Sequence, residues 1–177
     1  IQLHFAFSMV DQHGLKKHGR GGFTCHICVL RPKSVGSVKL ADANPNSPPL
    51  IDPAFLKDER DLDTMLAGVK QAQQIMQAPS FDAHRGKALY AGASNDDEEL
   101  KEDIRNRAYT MYLPGGTCKM GPDSDPNAVV DQRLRVRGIK SLRVIDASIM
   151  PKIVSGNTNA PSIMIGEKGA HMILEDA

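Results

Sequence analysis

The sequence predicts a mixed α+β protein, and three patterns in its 177 residues support that fold class. Residues 1–9 alternate apolar and polar side chains, which is typical of a half-buried strand. Residues 59–77 place apolar side chains three and four positions apart, which is typical of an amphipathic helix. In the last third, the short apolar run 142–145 precedes an irregular segment and a final helix. Strands and helices are therefore expected along the whole chain.

Two strands are predicted near the N-terminus. The first covers residues 1–10, and a polar, glycine-rich turn at 11–22 separates it from the second, at 23–30. The apolar face of the first strand consists of Ile1, Leu3, Phe5, Phe7 and Met9. Because this strand is under way at residue 1 and no initiator Met precedes it, the chain is expected to be a piece of a longer protein.

A strand–turn–strand pattern follows. Residues 31–41 are interpreted as a strand end, a turn at 33–36 and a returning strand. The next segment, 42–53, is rich in proline and Asx residues and is expected to be irregular. Asp52 and Pro53 predict a helix start, because Asp is a common N-cap and proline is tolerated in the first helical turn.

Helices are predicted at 59–77 and 95–108. The first has a continuous apolar face and an acidic start, where the helix dipole favours carboxylates. The second has an apolar stripe of only Leu100, Ile104 and Ala108, so we expect it to lie on the surface.

The C-terminal third is predicted to contain two short strands and a helix. The strand-like runs are 133–137 and 142–145, with a turn at Gly138 between them. Asn159 opens a final helix over 161–177. The arginines of the first run alternate with apolar residues, which indicates either a phosphate contact or a solvated strand face; the solvated face is the commoner arrangement.

Composition excludes several classes of function. The formal net charge is +1, from 22 basic and 21 acidic residues, so no overall field favours nucleic acid or an anionic membrane. Only 5% of residues are aromatic and none is Trp, which disfavours single-strand stacking platforms. No run reaches the roughly 18 apolar residues of a transmembrane helix. The three cysteines do not indicate a disulfide framework, and they favour a reducing, cytoplasmic location.

The Cys25–Cys28 spacing is that of half a zinc site. In a strand, however, residues three apart point to opposite faces, and no second pair at ligand spacing follows. We therefore interpret both cysteines as structural and predict no metal site.

The segment YTMYLPGGTCKMGP, 109–122, is interpreted as a loop that approaches another group closely, because adjacent glycines remove the Cβ atoms that would block the approach. Further along the chain, the apolar run 142–145 is followed by Asp146, Ala147 and Ser148. The last helix presents free N–H groups at its N-terminus. Asn157 and Asn159 add amide donors there. This region suits a ligand that is anionic or becomes so, although no Gly-x-Gly-x-x-Gly segment is present.

Four segments, in this order, carry a resemblance to a known family: RPKSVGSVKL, LIDPAFL, YLPGGTCKMG and LRVIDASIMPKIVSGNTNAPSIMIGEK. The sequence resembles the C-terminal part of the glucose–methanol–choline (GMC) family of flavoprotein oxidoreductases. The resemblance is closest to its bacterial choline dehydrogenase and alcohol dehydrogenase-like members and covers nearly the whole chain. It implies an FAD enzyme that oxidises a small-molecule alcohol to a carbonyl compound by hydride transfer to the flavin.

The resemblance also implies a domain organisation. Residues 1–127 would be mainly the substrate-binding domain, an antiparallel sheet with flanking helices that includes the active-site loop 109–122. Residues 128–177 would return to the FAD-binding α/β domain and supply its C-terminal strand and helix. The family's dinucleotide fingerprint lies in the N-terminal half that this chain lacks. That half is the expected partner, and the isolated chain is expected to bind FAD weakly or not at all and to be inactive.

Site residues follow from the resemblance position by position. Asp146 and Ala147 would lie near the ribityl and pyrophosphate portion of FAD, and Asn159 would hydrogen-bond the substrate oxygen as the catalytic residue. The residues expected to contact the cofactor are Leu113, Pro114, Asp146, Ala147, Asn159, Ala160 and Pro161.

Leu113 departs from the family pattern. Members of the family usually have Tyr-His-Pro where this chain has Tyr112, Leu113 and Pro114, and that histidine is the expected base for the alcohol proton. A leucine side chain cannot accept a proton. Three hypotheses therefore stay open: part of an active dehydrogenase, a flavin-binding relative that has lost turnover, or a small binding module that acts alone.

Self-association is also expected, because a large exposed apolar patch rarely stays without a partner. The residues of this predicted surface are Leu142, Val144, Ile145, Ile163, Ile165 and Ile173.

Overall fold

The computed structural model of the chain describes residues 1–16, 18–19 and 21–177. Lys17 and Arg20, which belong to the turn predicted at 11–22, lie outside the described residues. Strands and helices occur along the chain in mixed order, so the predicted fold class is confirmed. The chain divides into two compact units. Unit 1 contains Ile1–Gly36 and Pro53–Tyr109, and unit 2 contains Ser37–Asp52 and Thr110–Ala177. The predicted family-domain boundary after residue 127 stays a prediction.

Unit 1 begins with an antiparallel strand pair. Strand β1, Gln2–Ala6, pairs with strand β2, Thr24–Cys28. Both strands lie within their predicted ranges. Phe5 and Phe7, predicted on a half-buried face, are nevertheless exposed, and the Phe7 side chain is 100% exposed. The prediction is wrong for both residues. Phe7 lies beyond the pleated ladder because β1 ends at Ala6, whereas Phe5 is within β1, opposite Cys25, and still has a side chain that is 48% exposed.

The core of unit 1 lies between two helices. These are α1, Glu59–Met76, and α2, Asp97–Arg107, and both confirm their predictions. The core consists of Leu62, Leu66, Ala91, Leu100 and Ile104. Because α2 buries only Leu100 and Ile104, the rest of it stays at the surface, as its thin apolar stripe predicts.

The helix start predicted at Asp52 and Pro53 is wrong. Helix α1 begins at Glu59, and the carboxylate of Asp58 accepts a hydrogen bond from the amide of Arg60 as its N-cap. Asp52 instead is the last residue of a short strand, Leu50–Asp52. Both aspartates carry the N-cap signal, and it acts only where the following residues continue a helical pattern.

In unit 2, strand β3, Ser37–Lys39, pairs antiparallel with strand β4, Leu50–Asp52. The returning strand predicted within 31–41 thus exists, but its partner lies in the segment predicted to be irregular. Val38 is opposite Ile51, and such β-branched cross-strand pairs stabilise sheets. The irregular prediction is therefore wrong for the last residues of 42–53.

The strands predicted at 133–137 and 142–145 are replaced by isolated bridges, Val130 to Val136 and Arg135 to Arg143. A left-handed residue interrupts the first run, because Leu134 has φ +65°, and another, Ser141 with φ +59°, lies directly before the second run. Gly138, with φ +77°, lies in the predicted turn. Such residues interrupt the extended backbone that a continuous ladder requires.

Helix α3, Asn159–Glu175, begins two residues before the predicted range. It packs over the core of unit 2, which consists of Val130, Leu134, Ile149, Met150 and Ile165. Val144 and Ile145 pack against the same cluster. The predicted association surface is therefore partly internal, and only Leu142, Ile163 and Ile173 of it are exposed.

Of the helices in the described part of the chain, none combines the length and the apolar character needed to cross a membrane.

Candidate functional site

Main-chain hydrogen bonds hold the glycine-rich loop against the segment after the 142–145 run. Three alternate amides of the loop donate to three successive carbonyl groups: Gly116 to Ala147 (3.3 Å), Cys118 to Ser148 (2.9 Å) and Met120 to Ile149 (2.7 Å). A Cβ atom on Gly115 would lie 2.8 Å from the carbonyl oxygen of Ala147, closer than real Cβ contacts. This close approach is what the adjacent glycines predict.

The residues just before the glycines include a non-glycine residue in the left-handed region. Tyr112 has φ +60°, and its amide donates a hydrogen bond to Oγ1 of Thr110 (2.9 Å). Left-handed conformations of bulky residues store strain and cluster at functional sites. Leu113 follows and is half-buried, whereas Pro114 is exposed. No atom of the Leu113 side chain can take a proton.

The partner segment is a short 3-10 turn, Ala147–Ile149, capped by Asp146. The Asp146 carboxylate accepts a hydrogen bond from the amide of Ser148 (2.7 Å). Its side chain remains exposed, so it can accept further hydrogen bonds from a ligand. Asp146 thus fixes the turn and presents a carboxylate beside it.

The N-terminus of α3 lacks the acidic caps that α1 and α2 have. Each of those helices begins with an aspartate cap and further carboxylates in its first turn. In α3, Thr158 makes no side-chain cap hydrogen bond, the first turn has no acidic residue, and Asn159 and Ala160 are exposed. The positive end of this helix dipole is therefore not balanced by a carboxylate of the first turn, and it suits an anionic group.

Unit 2 brings these segments into one assembly. The loop is hydrogen-bonded to the 3-10 turn, and Ile165 of α3 packs in the same core cluster as Ile149 and Met150. The predicted cofactor-binding residues thus lie on three segments that share one scaffold. Their individual contacts with a flavin stay predictions.

An arginine cluster at the end of the chain was not predicted. Arg135 and Arg143 bind the carboxylate of Asp176, and Arg133 lies 2.9 Å from its other oxygen. Arg133 also donates to Glu175 (3.0 Å). Hydrogen bonds from Arg135, then Arg143, hold the pKa of Asp176 below its usual range. Arg133 and Arg135 therefore bind the carboxylates at the end of α3, whereas Arg137 binds Asp123 and the carbonyl oxygen of Gly121. Neither arrangement is one of the two roles that the sequence pattern suggested.

A second unpredicted cluster surrounds Asp11 in unit 1. This buried carboxylate accepts a hydrogen bond from the Tyr90 hydroxyl and lies 3.3 Å from His18, 3.6 Å from Lys16 and 3.6 Å from Arg107. The Tyr90 hydrogen bond is the main reason why the pKa of Asp11 is lowered, although burial opposes it. Lys16 and His18 are close to Asp11 in the sequence, but Tyr90 and Arg107 are about 80 and 96 residues away, so no local pattern indicates the whole cluster.

The cysteines are free thiols. Burial raises the pKa of Cys25 and of Cys28, which makes both poor nucleophiles at neutral pH. Among the residues that the structure describes, no group of three or more His, Cys, Asp or Glu side chains is arranged to hold a metal ion.

Comparison with known proteins places these features in a family context. Residues 32–166 match the family described as GMC oxidoreductase. The chain is 49% identical over 175 residues to an alcohol dehydrogenase (acceptor) from Pseudomonas putida, across 98% of this chain and 31% of that protein. It is 44% identical over 174 residues to the mitochondrial choline dehydrogenase of Homo sapiens, across 98% of this chain and 29% of that protein.

A solved structure shares the fold. Formate oxidase from Aspergillus oryzae RIB40, in which FAD modification was studied, superimposes with a TM-score of 0.85 at 26% identity. The match covers 98% of this chain and 31% of that one. The chain thus spans about a third of the length of the relatives that it matches.

Proposed function

The chain belongs to the GMC oxidoreductase family, and from that premise we propose that it is the C-terminal part of an FAD-dependent oxidoreductase acting on CH–OH groups. The substrate is a small alcohol, choline or one of similar size, that is oxidised to the aldehyde. FAD occurs in the family, and relatives at 44–49% identity are named alcohol and choline dehydrogenases. The activity belongs to the longer protein, because this chain corresponds to 31% of its bacterial relative.

The observation that carries the proposal is the hydrogen-bonded pairing of the loop with the 3-10 turn. It fixes the main chain from Gly116 to Met120 against Ala147–Ile149 within one unit. The same unit contains the α3 N-terminus, which has no acid in its first turn. A rigid loop and unbalanced N–H groups suit a ring system that becomes negatively charged. The exposed Asp146 carboxylate suits a different part of the cofactor, because it can accept hydrogen bonds from neutral hydroxyl groups.

Each proposed residue has a role that its chemistry permits. The exposed carboxylate of Asp146 accepts hydrogen bonds from the ribityl chain, with Ala147 beside it. Asn159, Ala160 and Pro161 lie along the isoalloxazine ring, and the helix N-terminus stabilises negative charge on it. The Asn159 amide donates a hydrogen bond to the substrate oxygen. FAD, when bound, accepts the hydride.

A second candidate is a flavin-binding relative whose turnover is impaired. Leu113 favours it, because this half-buried leucine occupies the position where the family usually has a histidine base. Asn159 is a weak substitute, since a neutral amide can orient the substrate oxygen but hardly deprotonates it.

Spectroscopy of the intact protein, expressed from its whole gene, tests both candidates. If alcohols reduce a bound flavin under anaerobic conditions, the dehydrogenase is supported. A flavin that dithionite reduces but a panel of primary alcohols and choline does not would support the impaired relative. An intact protein that retains no flavin would contradict both proposals and favour a separate binding module.

The isolated chain serves as the control for the cofactor. We propose that it loses FAD on desalting, because the partner that supplies the dinucleotide fingerprint is the N-terminal half. Flavin absorbance that stays with this chain through desalting, with no complementary fragment present, would contradict that.

Association and location are further parts of the proposal. The side chains of Leu142, Ile163 and Ile173 are 45%, 61% and 45% exposed, and we propose that they are covered by the N-terminal half or, in the isolated chain, by a second copy. A monodisperse monomer of the isolated chain by light scattering would contradict self-association. The free cysteines favour a cytoplasmic location.

A further inference from the structure

The glycine-rich loop starts directly after helix α2. That helix ends at Arg107, and unit 1 ends two residues later, at Tyr109. We call residues 107–109 the root of the loop. Main-chain hydrogen bonds hold the loop again from Gly116 onward, in unit 2. The stretch that contains Leu113 therefore lies between the root and a second half that is already fixed.

Arg107, in the root, is bound by two residues that are also bound to each other. Its guanidinium carbon lies over the ring of Tyr90, 3.6 Å from the ring centroid, and its NH1 lies 3.6 Å from the carboxylate of Asp11. The Tyr90 hydroxyl donates a hydrogen bond to that same carboxylate. Because Asp11 is only 8% exposed, salt screens this pairing less than it screens a surface ion pair.

The turn that follows β1 contacts the root at a second point. The ring of His13 lies 4.2 Å from the ring of Tyr109, centroid to centroid. Gln12 and His13 have left-handed φ angles of +45° and +58°, although neither is glycine. Such conformations cost energy and persist only where surrounding contacts determine them. Asp11 supplies one of these contacts, since its carbonyl oxygen accepts a hydrogen bond from the amide of Gly14 (2.9 Å).

From these contacts we propose that Asp11 is a positioning residue for the alcohol oxidation: through Arg107 and Tyr90, its carboxylate fixes the root of the loop that contains Leu113. A buried ion pair adds little net stability compared with apolar packing, so its main effect here is a fixed geometry. Asp11 acts through the root, whereas the flavin site itself is built from unit 2. The catalytic consequence rests on the proposed function; the contacts do not, because they lie within unit 1.

Hydrogen–deuterium exchange of the intact protein, expressed from its whole gene, tests whether Asp11 fixes the root. Asp11→Asn keeps the shape of the side chain and removes its charge. Peptides that cover 107–113 should then exchange faster by roughly tenfold or more, because the root loses charge-assisted contacts. Peptides that cover 116–122 should exchange as before, since their main-chain hydrogen bonds lie in unit 2. A general loss of stability would instead accelerate both stretches.

Two further variants serve this measurement. Asp82→Asn is the matched control, because it removes an exposed ion pair with Arg85 in the same unit and should change neither stretch. Tyr90→Phe removes only the hydroxyl that donates to Asp11, and it provides the test if Asp11→Asn does not fold. Unchanged exchange of 107–113 in the folded variant, or equal acceleration of both stretches, would overturn the proposal.

Stopped-flow flavin reduction in the same variants tests the catalytic consequence. In Asp11→Asn, the limiting rate at saturating alcohol should fall by roughly tenfold to a hundredfold, because a small displacement of a positioning element has a large effect on rate. Reduction by dithionite should be unchanged, and Asp82→Asn should match the unaltered protein in both assays. A loosened root with an unchanged limiting rate would overturn the positioning role.

The two measurements separate this inference from the proposed function. If no alcohol reduces the flavin of the unaltered intact protein, the proposed oxidation is wrong, and the catalytic role of Asp11 is wrong with it. The exchange result then still decides whether Asp11 fixes the root of the loop. If alcohols do reduce the flavin, a slower limiting rate together with faster exchange at 107–113 alone supports the whole inference.

Discussion

Gly169 of α3 and Ile145 are so close that a Cβ atom added to the glycine would lie 2.3 Å from Cγ2 of the isoleucine. Through this contact, α3 packs closely against the segment that precedes Asp146. The absent side chain at position 169 is therefore a packing requirement, even though glycine weakens a helix interior.

The first prediction compares two glycines of α3. Gly169→Ala should lower the free energy of unfolding by roughly 1–3 kcal/mol, because the added methyl overpacks the contact with Ile145. Gly166→Ala is the control: nothing lies within 4 Å of its added Cβ, so it should raise stability by about 0.5–1 kcal/mol through helix propensity. Urea denaturation of both variants measures the difference. Equal effects of the two changes would contradict the packing claim.

The second prediction concerns the glycine loop. Gly115→Ala should destabilise the protein by roughly 1–3 kcal/mol, because its Cβ would meet the main-chain oxygen of Ala147, which cannot move aside as a flexible side chain can. Gly156→Ala, with open space around its Cβ, should be close to neutral. Denaturation curves and hydrogen exchange at Cys118 and Met120 report the change. Unaltered protection of these two amides in Gly115→Ala would show that the loop does not depend on this contact.

The sequence predicts the elements whose signal is local and periodic. Helices α1 and α2 show continuous apolar spacing and acidic starts, and both form within two residues of their predicted limits. Strands β1 and β2 follow from side-chain alternation. By contrast, β4 depends on pairing with β3, more than ten residues earlier, and the Asp52–Pro53 signal carries no information about that partner. The left-handed residues Leu134 and Ser141 likewise break strands without a glycine to indicate it.

The candidate site also has features that local sequence predicts and features that it does not. Adjacent glycines predict that the loop approaches another group, yet only the fold identifies that group as the carbonyl of Ala147. The binding of Arg133 and Arg135 to Asp176 joins positions about forty residues apart, and neither end has a local pattern that indicates the other. Contacts of this kind depend on tertiary packing, so local sequence patterns do not predict them.

The third prediction concerns acid stability and Asp61. Burial alone would raise the pKa of this carboxyl, but hydrogen bonds from Ser34 and Lys33 outweigh burial and hold the pKa below its usual value of 3.8. Because the folded pKa is depressed, the stabilisation is complete above about pH 4 to 5 and is lost as the pH falls through the folded pKa. Asp61→Asn should therefore cost roughly 1–3 kcal/mol at pH 7 and less in acid.

Unfolding measured at pH 7 and at about pH 3 tests the Asp61 prediction. Asp63→Asn is the matched control, since Asp63 is exposed on the same helix and should change stability by less than about 0.5 kcal/mol. A loss in Asp61→Asn that is the same at both pH values would show that the charge of Asp61 is not the source of the stabilisation.

The last prediction concerns Leu113 and rests on the proposed function. In the intact protein, Leu113→His should accelerate flavin reduction by alcohols, because hydride leaves an alkoxide far more readily than a neutral alcohol. A positioned base typically contributes about 10²- to 10⁴-fold. The loop favours this gain, since Gly115 and Gly116 keep the main chain packed on Ala147 and imidazole is not much larger than an isobutyl group.

Stopped-flow flavin reduction across pH measures the effect, with Leu113→Gln as the control that is polar but not basic. The histidine variant alone should gain rate, with an ionisation near the pKa of imidazole, about 6.5. If the unaltered protein already reduces its flavin fast with such an ionisation, and Leu113→His is no faster, the base lies elsewhere and Leu113 does not limit turnover. If both variants gain equally, polarity rather than proton transfer is responsible. Only the histidine-specific gain supports the view that this loop lies at the reacting carbon and lacks its proton acceptor.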